Sequence, residues 1–528
     1  MRCRSRSRNR CISLFLTIFI TSLLLVSCKS YKRNSTHSDV SLESIRAGES
    51  LADKYCQSCH LLPSPDLLDS KTWEKGILPN MGPRLGIFSH NFVRYPSSNR
   101  DRNLGKDFYP STPLLTAEQW QNILDYYEAT SPDTLSLKPT DSITQSNSLF
   151  SVKSPSFSYE NPATSFIKFD TSLDRASILM GDFLKKSLYR IDNSLNLADS
   201  LPTVGTITDI QYEQGNKLIA CNIGFFAPTN EREGEAVLIE MQNGKLRKTP
   251  TSVLSKLQRP VQISPVDLNK DGKVDYLALE FGYLMGSLSW FENRGDARYE
   301  KHVLKPLPGA IKAYINDYNS DGLPDVWALF AQGNEGVFLY TNKRNGKFDE
   351  RQVLQFPPVY GSSYFEFADF NKDGHPDIIY TCGDNADYSP ILKPYHGVYI
   401  FINDGSNNFT QQYFFHLNGC YKAIARDFDN DGDLDIATIS YFADFSRTPQ
   451  EGFVYLENQG NLKFNGYSVP GTEQGRWMTM DAGDINGDGK IDLVLGNFSV
   501  GPTLIKSITD WEKGPPFIVL ENKSKKHF

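Results

Sequence analysis

From about residue 166 the chain alternates short apolar runs with compact polar loops. A nine-residue segment, Asp-x-Asn/Asp-x-Asp-Gly-x-x-Asp, begins at Asp267, Asp317, Asp369, Asp427 and Asp484, at steps of 50, 52, 58 and 57 residues. Each copy runs into an apolar stretch rich in β-formers: Tyr276–Leu279, Val326–Leu329, Ile378–Tyr380, Ile436–Ile439 and Leu493–Leu495. A second strand follows, then a turn with Asn or Gly, as in Phe291-Glu292-Asn293-Arg294-Gly295. Several short strands per period of about fifty residues predict the blades of a propeller. Two further units lack the polar loop: Phe166–Ile191, and one aligned on Thr208-Asp209-Ile210, 58 residues before Asp267. The expected fold over 166–528 is an all-β seven-bladed propeller, closed by pairing its N-terminal blade with a strand around Phe517–Glu521.

A helical period governs the earlier part of the chain. Leu42–Tyr55 carries Ile45, Gly48, Ala52 and Tyr55 on one side, and Gly48 would admit a second helix at close range. That second helix is expected over Ala117–Ala129, with Trp120, Ile123, Leu124 and Tyr127 as its apolar stripe. Thr116 and Gln119 have the spacing of a capping box. Residues 42–131 therefore form a small all-α unit ahead of the propeller. Residues 132–165, rich in Ser, Thr and Pro, are expected as an extended linker, and 28–41 as a shorter polar tether.

The first 27 residues read as an export signal. Arg2, Arg4, Arg6, Arg8 and Arg10 precede an apolar run, Ile12–Val26, too short for a comfortable membrane span. The run ends in Leu25-Val26-Ser27-Cys28, which resembles the bacterial lipobox and implies acylation of Cys28. The implied location is the cell envelope, lipid-anchored to a membrane at the periplasmic face or the cell surface. Removing the five arginines takes the net charge from −7 to about −12. So acidic a surface excludes nucleic acid as a partner and suits cations or a basic redox protein. Cys221, Cys382 and Cys420 make no disulfide framework and are expected as buried apolar groups, with Cys382–Cys420 the one pairing open between neighbouring blades.

Cys56-Gln57-Ser58-Cys59-His60 is the attachment motif of c-type haem. Two thiols at that spacing reach two vinyl groups on one porphyrin edge, and the adjacent imidazole turns under the iron. Chance gives roughly 0.002 such matches in a chain of this composition. No second Cys-x-x-Cys is present to complete a zinc site. The surroundings resemble a small class I cytochrome c, and the resemblance implies Met81, in the Pro/Gly-rich loop Pro79–Gly86, as the sixth ligand. Met81 follows His60 closely for that family, and His90 is the alternative. Trp73 is expected to pack beside the haem.

In the repeated loops, side-chain oxygens at positions 1, 3, 5 and 9 can converge on one hard cation, and the glycine at 6 permits the turn. Position 12 is Ala278, Ala328, Tyr380, Thr438 and Leu495, none of them the Glu that an EF-hand requires. The pattern resembles the FG-GAP (VCBS) repeats of integrin-α-like propellers, which implies structural Ca²⁺. The ligand sets would be Asp267, Asn269, Asp271, Asp275; Asp317, Asn319, Asp321, Asp325; Asp369, Asn371, Asp373, Asp377; Asp427, Asp429, Asp431, Asp435; and Asp484, Asn486, Asp488, Asp492.

The function these signals point to is electron transfer through covalent haem c, with the propeller docking an unidentified redox protein. Two alternatives stay open: a cytochrome-linked dehydrogenase whose propeller oxidises a sugar or alcohol, and a surface-recognition lipoprotein with a redox-sensing haem. Asp384, Asp387, Tyr388, His396, Asp444 and Arg447 are candidates to line a central pocket. No nucleophilic triad or phosphate-cradling loop supplies catalytic residues.

Overall fold

A computed structural model describes residues 31–524, apart from 138–141, 147, 171, 173–175, 214–216, 250, 387 and 502–508. The leader, Cys28 and Asp387 lie outside the described residues.

Seven sheets follow one another around a ring, and in five of them the strands run antiparallel and in chain order from the axis outward. The fold is a seven-bladed β-propeller. The second strand of each blade is buried on both faces, as in Asp275–Glu280, Asp325–Phe330 and Asp435–Ser440, which explains the continuous apolar runs. The outermost strands, such as Phe348–Gln355, are half-polar.

Ring closure differs from the expectation. The seventh blade has three C-terminal strands, Trp477–Gly483, Asp492–Asn497 and Phe517–Asn522. Its outer strand comes from Phe150–Lys153, where Asn522 faces Phe150 and Val519 faces Lys153. A second strand, Ile143–Gln145, adds in parallel to the outer edge of blade six. The segment expected as a linker therefore supplies two strands. Phe150 is its one fully buried side chain in these strands, too brief an apolar signal to stand out among serines.

Helix α1 spans Leu42–Tyr55 and helix α2 spans Ala117–Thr130. Ser41 caps α1, and Thr116 and Gln119 form the reciprocal capping box of α2. The helices cross at Gly48, where an added Cβ would lie 1.8 Å from the Asn122 carbonyl oxygen. Ile45, Ala52, Trp73, Trp120, Ile123 and Tyr127 form the core between them. Residues 31–41 are no free tether: Tyr31 and Val40 pack on that core, and the Asn34 amide donates to the Ala129 carbonyl at 2.8 Å. Among the described residues no helix is long and apolar enough to cross a membrane.

The helical segment rests on the propeller face formed by the loops between second and third strands. On blade five, Val359, Tyr360, Ile391 and Tyr395 join the helical core, and the Tyr395 hydroxyl donates to the Leu67 carbonyl at 3.1 Å. On blade two, the Asn230 amide donates to Asp101 at 2.7 Å. Contacts on blades two and five hold the segment to this face of the propeller.

Candidate functional site

Two settings carry the chemistry named by the sequence, and they lie on opposite faces of the propeller. The first begins where α1 ends. Cys56–Ser58 continues it as a 3₁₀ turn, so the motif is presented at the C-terminus of a well-packed helix. Cys56 is half-buried, Cys59 is exposed, and both thiols are free. Burial, reinforced by Cys59 and Asp53, pushes the Cys56 thiol up to about 11. The next ring is His60, whose Nδ1 lies 2.9 Å from the Leu61 carbonyl. A carbonyl only accepts, so Nδ1 is the donor of this bond and Nε2 is the ring nitrogen turned to other partners. The chain beyond is pinned: the Trp73 indole N–H donates to Pro65 at 2.8 Å and the Tyr127 hydroxyl to Pro63 at 3.0 Å. Trp73 is 1% exposed, with its ring 4.5 Å from that of Tyr127.

Met81 ends the short helix Leu78–Met81, half-buried, after a π-helical turn over Trp73–Ile77. Gly82 follows it, and a Cβ there would sit 2.5 Å from the Tyr95 ring, which fixes the backbone beside the thioether. His90 stands in a hairpin with its Nε2 2.8 Å from the Gln121 side chain. Two thiols and an imidazole on one turn fit the covalent attachment of haem, and partly exposed Leu51, Tyr55, Leu62 and Leu85 supply apolar surface beside the helical core.

The second setting is the row of five polar loops between first and second strands. In the first, Asp267 accepts from the amides of Asp271 at 3.1 Å and Gly272 at 2.9 Å, and Asn269 accepts from Asp271 at 3.1 Å. Positions 4 and 6 are left-handed throughout, from Lys270 at φ 61° and Gly272 at 83° to Gly487 at 77° and Gly489 at 81°. Glycine at 6 is thus a backbone requirement.

The position-9 carboxylates also have a structural role. Asp275, Asp325, Asp377, Asp435 and Asp492 are all buried, at 0 to 1% exposure. One oxygen accepts from the amide at position 2, as Asp435 does from Phe428 at 3.1 Å. The other accepts from the Asn that ends the third strand: Asn293, Asn342, Asn403, Asn458 and Asn522, at 2.8 to 2.9 Å. Each Asp therefore ties its loop to the end of the third strand of its own blade. The role of those asparagines escaped the sequence reading, although Asn-x-Gly turns at Asn293, Asn403 and Asn458 carried the signal for three of the five. Two of them also cross to the neighbouring blade: Asn342 donates to the Leu268 carbonyl at 2.9 Å and Asn522 to Phe428 at 2.7 Å.

The fourth loop is the most acidic. Carboxylate oxygens of Asp427, Asp429 and Asp435 lie within 4.8 Å of one another. Asp427 Oδ1 is buried with no hydrogen-bond partner, whereas its counterpart in the first loop accepts an amide. Burial first, and then neighbouring carboxylates such as Asp427 and Asp429, raise Asp429 and bring Asp435 up to about 7. An orphaned oxygen beside crowded carboxylates fits a hard divalent cation.

The residues expected around a central pocket are spread over several settings. The Tyr388 carbonyl meets the helical segment at Gly76. His396 is 1% exposed, and neither of its ring nitrogens has a partner. Asp444 faces Arg447 at 3.7 Å in the next blade's loop. Asp384 is half-buried and orders the turn by accepting from the Ala386 amide at 2.9 Å. Cys221, Cys382 and Cys420 are buried and free, so the Cys382–Cys420 pairing is not formed.

Comparison with known proteins bears on the propeller alone. The family described as FG-GAP-like repeat matches residues 267–328 and 317–380. The sequence matches no curated protein. Among solved structures, one similar chain belongs to an S. cerevisiae complex of a Dbp5 variant with Nup159, a Gle1 variant, IP6 and ADP. It is 11% identical, with a TM-score of 0.41, and the match covers 73% of this chain and 98% of that one. This chain carries FG-GAP-like repeats on a seven-bladed β-propeller.

Proposed function

We propose that the protein transfers electrons through one covalently bound c-type haem at a membrane surface. The observation that carries the reading is the Cys56–His60 motif at the end of α1, with two free thiols and an imidazole whose Nδ1 is bonded to the Leu61 carbonyl. Cys56 and Cys59 would hold the porphyrin as thioethers, His60 would ligate through Nε2, and Met81 would supply the sixth ligand. A six-coordinate His/Met iron cycles one electron at a raised potential. The chain's own contribution is positional: Trp73 and Tyr127 clamp the turn after His60, and Gly82 locks the Met81 backbone.

The helical segment is in this reading a cytochrome c-like domain, and Cys28 carries the lipid that holds it to the membrane. The polar loops hold Ca²⁺ as staples within the blades, and the propeller offers a rigid surface to a redox partner. The test is visible spectroscopy of purified, exported protein, reduced minus oxidised, with mass analysis of the chain. Haem that resists acid-acetone extraction and a mass increase of one haem are expected. Colourless material from a host competent in haem attachment would sink the reading.

A further inference from the structure

The loop after Met81 ends in a hairpin with an unusual tip. Ser89–His90 pairs with Val93–Arg94 around a two-residue turn, Asn91-Phe92. Both turn residues have positive φ, 46° and 65°. Such a turn ordinarily takes Asn-Gly, because a bulky side chain is strained there. Phe92 takes the strained place and buries nothing in return: it is fully exposed, and Val93 beside it is 59% exposed. The segment that carries them, residues 84 to 107, has five exposed cations, Arg84, Arg94, Arg100, Arg102 and Lys106, against two carboxylates, Asp101 and Asp107. That is a net +3 within a chain whose net charge is −7.

We infer that this hairpin seats on the anionic surface of the lipid bilayer, with Phe92 and Val93 entering the headgroup boundary, Arg94 at the headgroups beside them and the net positive segment facing the anionic surface. The preference for lipid over a protein partner rests on the proposed acylation of Cys28. Two residues separate Cys28 from Tyr31, which packs on the helical core, so three steps of chain would keep an acyl group on Cys28 within about 10 Å of that core. Asn34 is bonded to the end of α2 at Ala129, and the hairpin is bonded to Gln121 on the same helix through His90 and Asn91. Eight residues of helix place those two attachments about 12 Å apart. Anchor and hairpin therefore belong to one short stretch of surface, and an apolar tip with basic flanks is the composition that such a surface retains.

The test uses the full mature chain, 28–528, carrying Cys28→Ala so that no acyl chain contributes. It is sedimented with vesicles of equal phosphatidylglycerol and phosphatidylcholine, and with vesicles of phosphatidylcholine alone. Binding is expected to the anionic vesicles and to fall with added salt. Phe92→Asp should weaken it at least about tenfold, and Arg94→Glu about fivefold or more, while Phe92→Trp retains it. Phe225→Asp, at an exposed Phe of the propeller, should leave it unchanged. No partition into anionic vesicles, or a Phe92→Asp chain that partitions like its parent, would overturn the inference. Mass analysis of the native amino terminus tests the acylation separately: an unacylated Cys28 with Phe92-dependent binding would remove the anchor and leave the hairpin standing.

Discussion

Gly48→Ala sets two effects of opposite sign against each other. Alanine in a helix interior is ordinarily worth about 1 kcal/mol over glycine. At Gly48 the new Cβ would lie 1.8 Å from the Asn122 oxygen, 2.6 Å from its carbonyl carbon and 2.8 Å from Tyr126 Cβ. Two of these atoms are backbone and cannot rotate away, so the helices must separate by about 1.5 Å to restore ordinary contact. A gap of about 1 Å already forfeits up to half of a contact's dispersion energy. The face that would open includes Ile45, Ala52, Ile123 and Tyr127, all at 2% exposure or less. Losing much of that packing costs about 4 kcal/mol, and the net destabilisation is about 3 kcal/mol. Helical circular dichroism followed through thermal or urea unfolding measures it, with Gly105→Ala as control, since a Cβ there meets nothing within 4 Å. A Gly48→Ala chain as stable as its parent would refute the close approach of α1 and α2. The same substitution should lower the yield of attached haem, because α1 presents Cys56.

Four further outcomes follow from the structure. Asp435→Ala strips two buried amides, those of Phe428 and Asn458, of their acceptor; it should destabilise the propeller by about 3 kcal/mol even in chelator, as urea unfolding would read. Asp427→Ala, which removes the unpartnered oxygen, should instead cost little in chelator and abolish most of the Ca²⁺-dependent gain in melting temperature contributed by that loop. Glu128 is held up to about 7 by burial, then by Glu74 and Asp125, with His37 3.8 Å away. A raised carboxyl binds more protons folded than unfolded, so stability should fall as pH rises from about 4.5 to about 7 and then level off. Glu128→Gln should flatten that slope and add about 2 kcal/mol at pH 8, and an unchanged slope would count against it. Met81→Ala should remove the sulfur-to-iron absorption band of the oxidised protein while leaving the haem covalently attached.

The sequence made some features legible because one strong local signal produced each. The apolar stripes and the Thr116–Gln119 cap defined both helices to within a residue, and five loops at blade spacing defined the ring. Closure was hidden because Phe150–Lys153 is four residues long with a single fully buried side chain, and edge strands carry little apolar signal. The staple role of the position-9 aspartates was hidden for a different reason. Their partners, such as Asn458 and Asn522, lie 23 and 30 residues away, and pattern at one site cannot show that both carboxylate oxygens are engaged elsewhere. The packing of residues 31–41 depends on backbone carbonyls at the end of α2, which no side-chain pattern announces.

The placement of the two settings constrains what a cation can do. The polar loops join first to second strands, whereas Tyr395 and Asn230, which hold the helical segment, belong to loops joining second to third strands. Second strands of six residues separate these faces, a span of about 20 Å. At that distance in water a bound divalent ion is screened from the helical segment, since the Debye length at physiological salt is about 8 Å. Its influence must then travel through the blades, as stability. Asn342 and Asn522 give it a route, because each ties its own blade to the loop of the preceding one. Chelation should therefore lower the unfolding midpoint of the propeller while leaving the absorption spectrum and potential of the haem unmoved below that midpoint. A shift in haem potential on chelation of the folded protein would mean that the ion lies near the iron, and the assignment of cations to these loops would have to be abandoned.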